Sequence, residues 1–355
     1  MTTFHRRPGI DEMDQTPELL PSPDRQPSTS AFQFRKVFFN QVELRAGWRL
    51  LIFSAILLLT PSRTFFLNGV QFPSSRANSY AGNARPAKKP AGEFQPGPFI
   101  TNDGFSLILL VGLSAFMAML EDREMGHYGL PLKRAFRGNF WLGCLWGFAA
   151  ISLLLMALRA DHHFYYGPLE LSGWSIFRFA SLWTIAFLLV GLFEEYLLRG
   201  YAQFTLTLGI GFWPAALLLS LFFAFLHRDN PGETIFGLFQ IVLIALFFCF
   251  TLWRTGTLWF AVGFHAAWDW GQSFFYGTPD SGIPAKGHLL HSSIAGPDWL
   301  TGGTVGPEGS ALVAPLIVLL VVLFHFAFPN RVPYPDPNAL KPAQPQLVPQ
   351  TTLGI

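Results

Sequence analysis

The sequence predicts an all-α, polytopic membrane protein with about eight transmembrane helices. Of its 355 residues, 51% are hydrophobic and only 13% are charged, whereas about 25% of the residues of a soluble domain are charged. The apolar residues form runs of about 20, the length that an α-helix needs to cross a bilayer. The formal net charge of +2 gives no reason to expect nucleic-acid binding.

The chain is expected to begin outside the membrane and then to cross it repeatedly. Residues 1–30 are polar and rich in proline, which predicts disorder, and residues 31–46 mix Phe with basic residues as an interfacial helix does. Loops rich in Pro and Gly are predicted at 68–100 and 276–310, and a flexible tail follows Pro329. The predicted spans are 47–67, 103–120, 139–158, 178–206, 212–228, 234–253, 257–275 and 311–328.

Basic residues predict that both termini lie in the cytoplasm. Lys and Arg accumulate before the first span and in the loop of residues 121–138, and Arg254 and Arg331 lie on the same side. Cytoplasmic segments carry such an excess. The basic loop 68–100 falls on the opposite side and reduces the bias without reversing it.

A charged motif interrupts the fourth span: Glu194 and Glu195 are followed four residues later by Arg199. One unpaired charge at bilayer depth costs about 2.5–3.5 kcal/mol on insertion scales. Charged residues are therefore found in spans when they are paired, in contact with water or functional. Glu195 and Arg199 lie about 40° apart around a helix, which predicts a structural ion pair. Glu194 points elsewhere and is available to a site, although an ion-pair network that only ties helices together is the alternative.

His227, at the end of the fifth span, is predicted to lie beside Glu194. Counted at 1.5 Å per residue, both lie roughly 22–24 Å from the turn near Gly211. Antiparallel neighbours would therefore place them at similar depth. A histidine at a helix end is also common as an interfacial side chain without any catalytic role.

His265 and Asp269, in the seventh span, share one helix face and complete the predicted site. A desolvated Glu194 suits a general base, His227 can hold the same water, and His265 can donate to an oxyanion. The same residue types can bind Zn²⁺ with one position left for water, so Glu194, His227 and His265 are also possible metal ligands. Both routes lead to hydrolysis of a carbonyl group, most plausibly in a peptide bond.

These motifs, in this order and on hydrophobic helices, resemble those of the CPBP family of CAAX prenyl endopeptidases and bacteriocin-processing (Abi) membrane proteases. The motifs are Glu194-Glu195-x-x-x-Arg199, Phe223-x-x-x-His227 and His265-x-x-x-Asp269. The resemblance covers about residues 178–275 and implies that Glu194 is catalytic, that His227 assists it and that His265 serves the oxyanion. Asp269 departs from the commoner Asn. Family members are described as metalloendopeptidases, so zinc is a possible cofactor, and a metal-free glutamate mechanism is the alternative.

The resemblance implies an intramembrane endopeptidase in a bacterial plasma membrane, with the lipid bilayer and a membrane-anchored or lipidated peptide or protein as its partners. The rival hypothesis is a non-proteolytic transporter or bacteriocin-immunity protein that uses the same cavity; a transporter would be expected to show repeats or broken helices. The predicted regions are 1–46 (disordered segment and interfacial helix), 47–175 (N-terminal spans), 176–276 (catalytic core), 277–328 (loop and last span) and 329–355 (flexible tail).

Two further expectations concern the surroundings of the site. We expect the site to lie roughly 12–24 Å below the cytoplasmic helix ends and to be reached from the cytoplasm past Tyr201. The loop histidines His288 and His291 lie away from the helical motifs, and we expect them to be solvated.

Overall fold

The computed structural model describes residues 1, 36–39, 44–59 and 93–334. The disordered segment predicted for 1–30, most of the interfacial helix and most of the predicted loop 68–100 lie outside the described residues, as does the tail after 334. The chain divides into two compact units, Met1–Arg45 and Ala46–Ile355.

The larger unit is mostly helical, which confirms the predicted class. Its α-helices are α1 Ala46–Leu59, α2 Pro96–Leu120, α3 Gly138–Ala160, α4 Trp174–Arg199, α5 Tyr201–Ile210, α6 Phe212–His227, α7 Ile235–Thr255, α8 Trp259–Asp269, α9 Asp298–Thr301 and α10 Val313–Ala327. Two short strands, β1 Phe164–Tyr165 and β2 Ser293–Ile294, pair in antiparallel fashion.

Long apolar helices make this an integral membrane protein. Among the described residues, four helices are long and apolar enough to cross a bilayer: Pro96–Leu120, Gly138–Ala160, Trp174–Ile210 and Ile235–Thr255. The third joins α4 and α5 through Gly200. Helices α1, α6 and α10 are apolar but shorter, so the count of eight spans stays a prediction.

One predicted boundary needs correction. Helix α2 begins at Pro96, seven residues before the predicted start of the span at 103. The Pro- and Gly-containing stretch predicts a loop, but proline is well tolerated at the first position of a helix because that residue needs no N–H donor.

Helix α8 sits directly on the backbone of α3. A Cβ added at Gly147 would come within 2.1 Å of the carbonyl oxygen of Phe264, and one at Gly263 within 2.2 Å of the carbonyl oxygen of Phe140. Glycine is therefore required for this close approach. The contact fixes the helix that carries His265.

The segment that follows α8 is ordered and folds back against earlier parts of the chain. A π-helical turn, Trp270–Phe275, leads into residues 276–310, which we call the cap loop. The backbone N–H of Lys286 in this loop donates to the carbonyl oxygen of Phe94 (2.9 Å), and the N–H of Glu170 donates to that of Leu289 (2.9 Å). The cap loop is thus tied both to the start of α2 and to the segment after α3.

Candidate functional site

The structure brings all four predicted catalytic residues to one cavity. Glu194 on α4, His227 on α6, and His265 and Asp269 on α8 line a space of about 160 Å³. Most of the remaining wall is apolar and comes from α4, α7 and α10. Polar groups that converge in a mostly apolar concave space are the usual signature of a binding or active site.

His265 lies at the centre of the polar cluster. Its Nε2 is 3.6 Å from Glu194 Oε2 and 3.5 Å from Asp269 Oδ2, while its Nδ1 is 3.0 Å from Glu195 Oε1. A carboxylate only accepts hydrogen bonds, so Nδ1–H donates to Glu195. This bond holds the imidazole in one orientation and directs Nε2 toward the cavity. The ring of Phe248 stacks against it at 5.7 Å.

The predicted pair of Glu195 and Arg199 is present, and Glu195 has a second partner that the sequence did not indicate. Arg199 Nη1 donates to Glu195 Oε1 at 3.2 Å, and the two side chains are 1% and 0% exposed. The same Oε1 accepts from His265, so Glu195 also orients the cavity histidine. The Arg199 guanidinium lies over the rings of Phe223 (5.1 Å) and Phe248 (5.7 Å), which favours a desolvated cation.

His227 is the last residue of α6, and its ring orientation is fixed by its own helix. Its Nδ1 is 2.9 Å from the carbonyl oxygen of Phe223, an atom that only accepts. Nδ1 therefore carries the hydrogen, and Nε2 is the acceptor nitrogen of the neutral ring. The side chain of Phe223 packs edge-on against the imidazole at 4.4 Å. Phe223 thus holds the ring of His227 so that its acceptor atom, Nε2, is available at the cavity.

The cap loop supplies two acidic residues that the sequence analysis missed. Asp280 and Glu308 line the cavity; Ser273 Oγ donates to Asp280 Oδ2 (2.9 Å), and Gln272 Nε2 donates to Glu308 Oε2 (2.9 Å). Burial is the largest cause that raises the pKa of both carboxyls above their ordinary values. The available signal was Gln272-Ser273, two polar residues that begin three positions after Asp269 of the third motif.

A further acid missed by the sequence analysis lies on α2. Asp103 is 4% exposed and lies near Glu194. It lies on α2, which packs on α4, and a Cβ added at the neighbouring Gly104 would meet Leu189 at 3.6 Å. A single Asp at the start of an apolar run carried no distinguishing pattern.

The predicted route past Tyr201 is wrong. Tyr201 is fully buried, and its hydroxyl donates to Glu121. The polar loop residues that line the cavity, including Asn230 and Ser281, follow α6 and α8, at the end of the bundle opposite Gly211. The depth count placed His227 far from the Gly211 turn but overlooked that it is the last residue of its helix, beside the opposite loops.

The predicted zinc ligands have suitable chemistry but unsuitable spacing. Zinc takes N and O ligands at about 2.0–2.2 Å, so neighbouring ligand atoms of a tetrahedral ion lie about 3.3 Å apart. Among the described residues, one group of three possible ligands has donor atoms that all lie within 4.8 Å of one another. It consists of Glu170 and two histidines of the cap loop. The donor atoms of Glu194, His227 and His265 do not all lie within 4.8 Å of one another in this way.

Comparison with known proteins gives one match. Residues 176–271 match the family model described as Type II CAAX prenyl endopeptidase Rce1-like, whereas curated proteins and solved structures give no significant match. The matched segment contains all three motifs, from Glu194 to Asp269. The match confirms the family resemblance that the motifs predicted: residues 176–271 carry an Rce1-like domain of the type II CAAX prenyl endopeptidases.

Proposed function

We propose that the chain is an intramembrane endopeptidase that cleaves a peptide bond of a membrane-anchored or lipidated substrate with a water activated by Glu194 and His227. The observation that carries the proposal is the meeting of Glu194, His227 and His265, from three separate helices, at one apolar-walled cavity. The Rce1-like match supports a CAAX-type membrane protease in general.

Glu194 is the general base in this proposal. Its side chain is 20% exposed and is not neutralised by Arg199, which pairs with Glu195. The carboxylate takes one proton from water while the water oxygen bonds to the carbonyl carbon of the substrate. His227 Nε2 accepts a hydrogen bond from the same water. Glu194 then passes its proton to the leaving amine as the C–N bond breaks.

His265 stabilises the oxyanion that forms on the substrate. Its Nδ1–H is held by Glu195, so a second proton on Nε2 makes the ring a cation able to donate into the cavity. The surrounding carboxylates favour that cation. This arrangement also explains why Asp is acceptable at position 269: Asp269 lies 3.5 Å from Nε2 and supports the charged ring, so it need not be a donor.

The wall of the cavity fits an apolar substrate. The lining residues include Phe94, Phe99, Phe187, Ile241 and Leu316, which offer no strong polar partner. An aliphatic peptide terminus or a lipid chain loses little on leaving the bilayer for such a wall. We therefore expect a prenylated CAAX-type peptide to be a better substrate than the unprenylated peptide of the same sequence.

The experiment compares the purified full-length chain in proteoliposomes with its Glu194→Gln variant on prenylated and unmodified CAAX-type peptides. Loss of the base should reduce turnover by about 10³-fold, while Glu124→Gln, a control at an exposed loop carboxylate, should leave it unchanged. Turnover by Glu194→Gln near the wild-type rate would reject the base. If the wild type cleaves neither peptide but transports or retains a ligand through the cavity, the non-proteolytic alternative replaces the proposal.

A further inference from the structure

A second cluster of histidine and carboxylate side chains lies outside the membrane helices, where the cap loop meets the segment after α3. His288 Nε2 is 2.6 Å from Glu170 Oε2, His291 Nδ1 is 3.1 Å from the same oxygen, and the two nitrogens are 3.3 Å apart. Three donor atoms from three side chains therefore point at one another. The expectation that His288 is solvated was wrong, since its side chain is 13% exposed, whereas His291 is 70% exposed.

The hydrogen bonds of His288 indicate that a cation belongs among these atoms. Its Nδ1 lies 2.7 Å from the carbonyl oxygen of Ala285, so Nδ1 must carry a hydrogen. In the neutral ring Nε2 is then an acceptor, yet it faces the carboxylate of Glu170, which also only accepts. The two acceptors are compatible only if a proton or a metal ion lies between them. His291 directs a further nitrogen to the same place.

The spacing of the atoms suits a transition-metal ion. A tetrahedral Zn²⁺ with bonds of about 2.0–2.1 Å separates its ligand atoms by about 3.3 Å. Two of the three separations, 3.1 and 3.3 Å, are already close to that value, and the third, between His288 Nε2 and Glu170 Oε2, would widen from 2.6 Å when an ion enters between the atoms. The bond from Nδ1–H of His288 to a backbone carbonyl is the usual outer support of a ligating imidazole.

We propose that Glu170, His288 and His291 form a binding site for a divalent transition metal of the zinc class, with water in the fourth position. Two histidines and one carboxylate with an open position are a known zinc ligand set. The site is distinct from the cavity and lies on residues that the Rce1-like match does not include.

The backbone prepares this site without the ion. The N–H of Glu170 donates to the carbonyl oxygen of Leu289 (2.9 Å), and the N–H of His291 donates to that of Pro168 (3.0 Å). These bonds extend the pairing of β1 with β2 and hold the ligands in register. Metal binding therefore costs little conformational entropy, because the backbone that carries the ligands is already ordered.

Metal binding would stiffen one wall of the cavity. The ion would join the segment after α3 to the cap loop, whose residues Asp280, Ser281 and Ile283 line the cavity. An effect on peptidase activity rests on the proposed function, whereas the metal site itself does not.

The test titrates zinc alone into the chelator-treated, full-length protein in detergent and follows bound ion by competition with a chromophoric chelator. The variant His288→Ala/His291→Ala should lose one equivalent of zinc, with affinity reduced at least about 10- to 100-fold. His162→Asn is the control, because it removes an exposed imidazole near the site while Asn tolerates the positive φ of 59° found there. The control should bind zinc as the wild type does.

Two further variants separate this site from the cavity and from misfolding. Glu194→Gln/His227→Ala should keep the equivalent that the loop variant loses. Glu170→Gln preserves the size of the side chain but removes the anionic ligand, so its zinc affinity should fall at least about tenfold while its elution volume and Tm without metal stay near those of the wild type. Equal zinc binding by wild type and loop variant, or loss only in the cavity variant, would overturn the site. Zinc binding without peptidase activity would overturn the proposed function alone.

Discussion

The cavity and the cluster of Glu170, His288 and His291 both combine histidines with carboxylates, but in opposite proportions. In the cavity, one imidazole, His265, lies 3.0–3.6 Å from three carboxylates. Where the cap loop meets the segment after α3, one carboxylate, Glu170, lies 2.6 and 3.1 Å from the imidazoles of His288 and His291. Several acids around one ring favour a protonated, charged histidine, whereas two rings that share one acid offer electron pairs to a metal ion.

The surroundings of the clusters differ as much as their proportions. Glu195 and Arg199 are buried, and aromatic rings cover the guanidinium, so each charge depends on its partners. Glu170 is 41% exposed, and water can replace any partner that it loses. Loss of one charged partner should therefore lower the free energy of unfolding strongly at Glu195 and Arg199 and only slightly at Glu170.

The largest expected effect tests this contrast in stability. Arg199→Leu removes one of the two partners of the buried Glu195 carboxylate, leaving it with His265, and should lower the free energy of unfolding by about 3–5 kcal/mol. Glu170→Gln, measured without metal, should change it by about 1 kcal/mol or less. Denaturation in detergent measures both. Adding Glu195→Gln to Arg199→Leu should recover part of the loss; strict additivity would show that the two side chains are not coupled.

The second prediction concerns activity. His265→Gln removes a cationic donor to the oxyanion and should reduce kcat by about 10²–10³-fold. His162→Asn, outside both clusters, is the control and should retain the wild-type kcat. A His265→Gln variant that is folded and keeps more than about a tenth of the wild-type kcat would exclude His265 from oxyanion stabilisation.

Sequence patterns predicted the parts of the site that depend on a single helix. The i,i+4 spacing gave the pair of Glu195 and Arg199, and it placed His265 and Asp269 on one face. Counting residues from the turn near Gly211 also predicted that Glu194 and His227 share a site on neighbouring helices, and both line the cavity. Regular helix geometry converts such spacing directly into position.

The features that the sequence did not predict depend on the path of the cap loop. His291 contacts Glu170 across 121 residues of chain, through backbone pairing that has no signature in Gly- and Pro-rich sequence. Asp280 and Glu308 reach the cavity for the same reason. Loop histidines and acids are usually solvated, so their convergence was visible only in the fold.

The third prediction concerns Asp269, which the resemblance marked as unusual. Asp269→Asn keeps an oxygen that can accept from His265 Nε2 but removes the negative charge that favours the protonated ring. We expect kcat to change by about tenfold or less. A loss similar to that of His265→Gln would instead show that the Asp269 carboxylate itself takes part in the reaction.

The smallest expected effect is a pH dependence of stability from the two acids of the cap loop. Burial raises the pKa of Asp280 and Glu308 above their ordinary values of 3.8 and 4.5. The folded state therefore binds these protons more tightly than the unfolded state does. The resulting stability is fully present below the unfolded pKa values and is lost as pH rises through the folded ones, with a slope of less than about 1.4 kcal/mol per pH unit for each group.

Asp280→Asn/Glu308→Gln mimics the neutral carboxyls and should flatten the decline in denaturation curves recorded from pH 4 upward, whereas exposed Glu124→Gln should not. Wild-type stability that rises over the same window, with the slope unchanged in the double variant, would show that both carboxyls are ionised in the folded protein and that the cap loop presents negative charge to the cavity.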